Sequence, residues 1–291
     1  MLLPTVCQAQ QGGEDRVLTT ADGWPIHITY YESSKGKESP AVILVPGVEG
    51  IEGSMTRRVW DGVAGALQKN GFAVVTADLR KHGDSVPPVD ESERSRLTRL
   101  LPADYTLMVT QDMTVIKDFL VNEHQKEKLN IRKLGIAAAG SSGLVVTAFA
   151  ANDWLRKPWP DAPTLAQRTP RGQDVRAILM LSPKSSVRGL SAASPLRLLA
   201  DPAREIAFHI YYNPEDRAEK SSAEKLFRFL KLKDENDARR IIEGPPDKAF
   251  SAEGLLQGKA APVMEKNITE FFDTYVKGRN DPWQTRTSKL Q

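Results

Sequence analysis

Gly135-Ile136-Ala137-Ala138-Ala139-Gly140-Ser141-Ser142-Gly143 is the stretch on which the fold of this 291-residue chain turns. Its apolar half closes a strand over residues 133–139, and the run beyond it has the make-up of a helix from about residue 142 to 151, so the chain passes from strand to helix through a Gly-Ser-Ser-Gly turn. The same alternation extends in both directions. Residues 41–45 (AVILV) are wholly apolar and stop at Pro46-Gly47, as expected of a strand buried on both faces of a parallel sheet. Trp60, Val63, Ala64 and Leu67 have helical spacing, Gly71 stands where that helix ends, and residues 72–77 form the next buried strand. Beyond them follow a helix over 103–123, strands at 175–182, 206–212 and 240–243, a helix carrying Ala223, Leu226, Phe227 and Leu230, and a last helix carrying Ile268, Phe271, Phe272 and Tyr275. Upstream, residues 16–20 and 25–32 form a hairpin across the Asp22-Gly23 step. Such alternation predicts an α/β fold with a mostly parallel, doubly wound sheet and helices on both faces.

Composition fits one domain over residues 14–277. Hydrophobic residues make up 40% of the chain and charged residues 26%, enough for a single large core. Forty basic residues against thirty-seven acidic ones give a net charge of +3 with both signs interspersed, so no footprint for nucleic acid stands out. Cys7 is the sole cysteine, which excludes an intrachain disulfide and a thiolate-rich zinc site. No apolar run approaches the roughly 18 residues of a membrane-spanning helix. Residues 1–13 are expected to be a disordered tail or the remnant of a signal peptide, with Cys7-Gln8-Ala9 resembling a cleavage site. Residues 278–291 are polar and basic and are expected to be a mobile tail.

Asp78-Leu79-Arg80-Lys81-His82-Gly83-Asp84-Ser85 resembles the D-x-R-G-H-G-x-S turn of the α/β-hydrolase superfamily, and the resemblance runs from about Val17 to Val276. The turn is mainly architectural there, which implies a structural role for His82. The resemblance further implies a nucleophile on the strand-to-helix elbow, where a side chain projects over the sheet beside oxyanion-stabilising N–H groups. Three registers compete in this chain. Ala139-Gly140-Ser141-Ser142-Gly143 makes Ser141 the nucleophile; a shift by one makes it Ser142 but sets Leu144 where glycine is preferred. Aligning the helix instead puts Gly140 at the elbow, with no nucleophile and with Ser141 and Ser142 as helix caps.

Tyr211-Tyr212-Asn213-Pro214-Glu215-Asp216 resembles the family's Y-G-x-x-D, which would make Asp216 the triad acid; a turn-forming residue is the alternative. The base of such a triad comes last, between the final strand and final helix. Residues 244–251 (GPPDKAFS) hold no histidine there, and His27, His124 and His209 lie elsewhere. Asp247 or Lys248 would have to substitute. Gly47, Val48 and Glu49 occupy the oxyanion segment, where Glu49 adds a charge unhelpful to an oxyanion, so a neutral or cationic ligand suits the site better than a carboxylate. No large lid is expected, because residues 183–204 have room for one or two helical turns. Neither a metal nor a nucleotide motif appears, and no cofactor is expected. The expectation is therefore a degenerate hydrolase fold that binds a small molecule or a protein partner, the alternative being an esterase using Ser141 and Asp216.

Overall fold

The computed structural model describes residues 12–48, 55–231 and 237–290. The chain opens with the strands Glu14–Thr19 (β1), Pro25–Tyr31 (β2) and Pro40–Val45 (β3), then helix Asp61–Lys69 (α1), strand Ala73–Ala77 (β4) and helix Glu91–Leu97 (α2). Helices Pro102–Leu107 (α3) and Met113–Gln125 (α4) lead to strand Asn130–Ala139 (β5), helix Ser142–Leu155 (α5) and strand Val175–Leu181 (β6). A two-residue pair, Ser186–Val187 (β7) and Leu190–Ser191 (β8), and helix Ala193–Leu199 (α6) fill the short connection where a lid would stand. Strand Ala207–Tyr211 (β9), helix Arg217–Leu230 (α7), strand Arg240–Glu243 (β10) and helix Ala261–Phe272 (α8) complete the set.

Eight strands form one sheet in the order β1-β2-β4-β3-β5-β6-β9-β10. The hairpin β1–β2 joins antiparallel to β4, and every pairing from β4 across to β10 is parallel. Strand period two sorts the apolar residues between two cores. Ala41, Ile43 and Val45 of β3 face the core shared with α4 to α7, whereas Val42 and Leu44 face the one built with Trp60, Leu67 and Phe272 from the α1 and α8 side. All six β3 residues are buried, as its uninterrupted apolar run requires.

The helix expected over 103–123 is divided. A π turn, Met108–Asp112, joins α3 to α4 and delivers Asp112, fully buried, to Arg80. Arg80 Nε donates to Asp112 Oδ1 at 2.8 Å, its backbone N–H donates to Oδ2 at 2.9 Å, and Nη1 donates to Asp22 at 2.8 Å. Helix α2 was not expected; it starts where Asp90 Oδ1 accepts the Glu93 N–H, which caps the first turn. The turn after β4 is tied down at Asp78, Arg80, His82 and Ser85, while Lys81 stands where the motif has glycine. Asp78 accepts from the Arg57 N–H and Nη1, and Ser85 Oγ donates to the Asp78 carbonyl while accepting the His27 N–H. His82 is buried with Nδ1 2.9 Å from the Arg80 carbonyl.

Burial outweighs the pairing with Arg80 and lifts the Asp112 carboxyl to about 6, above the roughly 3.9 of a free aspartate. A folded-state value above the unfolded one gives a contribution that is complete below about pH 4 and lost as pH rises through about 6. The stability advantage of the native chain over Asp112→Asn is therefore expected to shrink across that window, as urea midpoints of both proteins at several pH values would measure. A pH-independent difference would assign the titration to another group.

The segment expected to be a mobile tail is packed instead. Trp283 stacks on His124 with ring centroids 4.7 Å apart, His124 Nε2 lies 2.8 Å from the Gln284 carbonyl, and Asn130 Nδ2 donates to the Asp281 carbonyl. Arg286 is buried and pairs with buried Asp174. Polar composition misled here because the basic residue is the counter-ion of an interior carboxylate. Residues 1–11 and Glu49 lie outside the described residues.

Candidate active site

The C-terminal ends of the parallel strands bring together Gly47 and Val48 after β3, Gly140 and the two serines after β5, and Ser182 after β6. Gly140 has φ +52°, the left-handed region that only glycine enters without cost, and it stands at the sharp turn between β5 and α5. Its N–H donates to the Leu181 carbonyl at 2.9 Å, and its own carbonyl accepts from Gly143 and Lys184. Ser141 follows with helical angles (φ −67°, ψ −22°) and is fully buried. Ser142, equally buried, donates its hydroxyl to the Pro46 carbonyl at 2.6 Å, which ties the start of α5 to the exit of β3. The serines were expected to cap the helix if glycine held the elbow. Ser141 holds the capping position without a side-chain bond to the helix, and Ser142 is spent on β3.

Asp216 stands apart from the serines' surroundings in its bonding. It is exposed, and Oδ1 accepts the N–H groups of Ala218 at 2.7 Å and Glu219 at 3.0 Å, the arrangement of an N-cap on α7. The substitutes considered for the base are similarly occupied: Asp247 accepts the Ala249 N–H, and exposed Lys248 lies 3.5 Å from Glu215. Val48 is buried, with its carbonyl 3.5 Å from the Tyr105 hydroxyl.

Glu253 is the residue that sequence reasoning missed. It sits in the 3-10 turn Ala252–Leu256, on the loop between the last strand and last helix, where the resemblance leads one to look for an imidazole. Its buried carboxylate accepts the N–H of Gly47, one residue before Val48. Two non-glycine residues at positive φ hold that turn: Ala252 (+47°) donates its N–H to the hydroxyl of Ser182 (+46°) at 2.9 Å. Each such angle costs roughly 1–2 kcal/mol in an L-residue, and strain of this kind persists where surrounding contacts over-determine it. An acid in the apolar run Ala252-Glu253-Gly254-Leu255-Leu256 was the available signal.

Among the described residues no three His, Cys, Asp or Glu side chains gather as metal ligands, and no helix is long and apolar enough to cross a membrane. No family model and no curated protein matches the sequence. Solved structures do match. A dienelactone hydrolase from Anabaena variabilis superposes with TM-score 0.58 at 15% identity, covering 92% of this chain and 100% of that one. Esterase 2 of Thermogutta terrifontis, phosphoramylated by tabun, gives 0.57 at 14% identity over 94% and 97% of the two chains. An alpha-beta serine hydrolase homologue from Coxiella burnetii gives 0.53 at 11% identity over 88% and 96%. With this strand order, this turn after β4 and these neighbours, the chain has the α/β-hydrolase fold.

Proposed function

We propose that this is a hydrolase-fold protein with a degenerate active site, which binds a neutral or cationic small molecule or a protein partner at the strand ends and turns over esters weakly or not at all. Gly140 carries the reading: at φ +52° it takes the conformation an elbow nucleophile would take, and it brings no side chain there. Glu253 adds to it: the loop where a base is looked for carries this carboxyl in place of an imidazole, and it is engaged with the Gly47 N–H. General-base assistance is worth about 10²–10⁴-fold, so its loss alone leaves little turnover. The Gly47 N–H, already donated to Glu253, is not free to stabilise an anionic ligand.

The names of the fold neighbours favour a second reading, a serine hydrolase using Ser141 with Asp216. Both readings meet in one experiment. Purified protein treated with a fluorophosphonate probe, with peptide mapping of Ser141 and Ser142 and a panel of short- to long-chain esters alongside, is expected to show no adduct and no turnover. A stoichiometric adduct on Ser141, with turnover lost in Ser141→Ala, would establish the hydrolase instead.

A further inference from the structure

The α8 side of the sheet's edge carries a groove of about 350 Å³ between β9, β10 and α8, whose walls include neither Gly140 nor Glu253. Four rings line it. His209 stacks on Tyr211 with centroids 4.1 Å apart and 30° between planes; Phe271 meets His209 edge-on at 5.4 Å; Tyr275 lies 5.3 Å from Phe271. Two carboxylates, Glu243 and Glu270, complete the walls, and none of the lining residues is a lysine or arginine.

The electrostatics favour a cation. Burial lowers the His209 pKa, so its ring is neutral near pH 7, and burial with Glu243 close by raises the Tyr211 phenol, which stays protonated. His209 is 5% exposed, with Nε2 2.9 Å from Glu243 Oε1. If Nε2 is the donor, Nδ1 remains an acceptor, and it has no partner among the described residues. Among the described residues, only Lys266, 3.8 Å from Glu270 on the exposed side of α8, offers either carboxylate a full positive charge. Aromatic faces attract cations through their quadrupoles, most strongly where water is partly excluded, and the carboxylates of Glu243 and Glu270 add to that attraction.

We infer that this groove binds a substituted ammonium group through its aromatic walls and the carboxylates of Glu243 and Glu270. The group would come from a free organic amine or from a lysine side chain of another chain, and the chemistry is shared. The inference is independent of whether Gly140 holds the elbow.

Titration with choline chloride, followed by the aromatic NMR resonances of His209, Tyr211 and Tyr275, tests it against 3,3-dimethyl-1-butanol, the neutral isostere in which carbon replaces the charged nitrogen. Saturable shifts are expected with choline, and binding at least about fivefold weaker with the isostere. Glu243→Gln/Glu270→Gln and Tyr275→Leu, checked for native thermal unfolding, are each expected to weaken choline binding about five- to tenfold. A lysine tripeptide amide in a second arm separates the sources: tighter binding than choline assigns a partner's side chain, and weaker binding a free amine. Equal response to the isostere, or unchanged binding in folded variants, would overturn the inference.

Discussion

Lys117→Met is expected to lower the free energy of unfolding by about 3–5 kcal/mol, the loss seen when one partner of a buried ion pair is removed. Lys117 lies on α4 with its side chain fully buried; Nζ contacts Asp153 of α5 and lies 2.7 Å from Asp174 Oδ2, ahead of β6. Arg286 pairs with the other oxygen of Asp174, so two carboxylates and two cations balance inside the protein. Asp153 also accepts the Asp174 N–H at 2.8 Å, which fixes the geometry of the group. Methionine preserves the volume of the stem and removes only the charge, leaving an interior with one negative charge in excess. Lys117→Met/Asp153→Asn restores neutrality and is expected to recover roughly half of the loss, since replacing both members of such a pair is often near neutral. Urea unfolding at neutral pH measures both. A single-variant loss below about 1 kcal/mol would show that the charges are not interdependent, as in an exposed pair.

That network also shows what the sequence concealed. Apolar periodicity located the parallel strands to within a few residues, most plainly β3, β5 and β6, which are largely buried and whose composition says so. It did not mark Lys117, a lone lysine set among Met113, Ile116 and Leu120 of α4, because a charged side chain is read as solvated by default. Nor did it mark Arg286, whose partner Asp174 is 112 positions away. A buried charge is recognisable only by its counter-ion, and the counter-ion is supplied by the tertiary fold. At the site the same limit applied. The sequence left Gly140, Ser141 and Ser142 competing for the elbow, since the register of a strand-to-helix turn is set by the fold, and Glu253 was passed over because an acid on a loop has many meanings even inside an apolar run. The candidate acid Asp216 was read from a motif that a helix cap satisfies equally well. Helix α2, with mainly charged residues, offered no apolar stripe to detect.

Gly83→Ala is expected to cost a further large fraction of stability, about 3–5 kcal/mol, although it adds one methyl group. Gly83 has φ +52°, and a Cβ built there would meet the Asp78 carboxylate at 2.3 Å. The left-handed angle alone costs roughly 1–2 kcal/mol in alanine. The larger part comes from Asp78, which is fully buried and receives the Arg57 N–H and Nη1, each at 2.6 Å, and the Asp84 N–H at 3.2 Å. Burial raises its pKa despite those donors, so the carboxylate has little to lose before it is unpaired. Displacing it would leave the Arg57 guanidinium, itself 2% exposed, with exposed Asp84 and Asp15 as its remaining anionic partners among the described residues and the Thr29 hydroxyl on Nε. Asp84→Ala, which removes an exposed partner and leaves Asp78 in place, should cost much less, about 1 kcal/mol. Asp78→Ser clears the space, so Gly83→Ala should cost only its backbone strain in that background, and the two losses should fall short of additivity by more than about 1 kcal/mol. Strict additivity in denaturant unfolding would mean that Asp78 does not hold this turn against the Gly83 backbone.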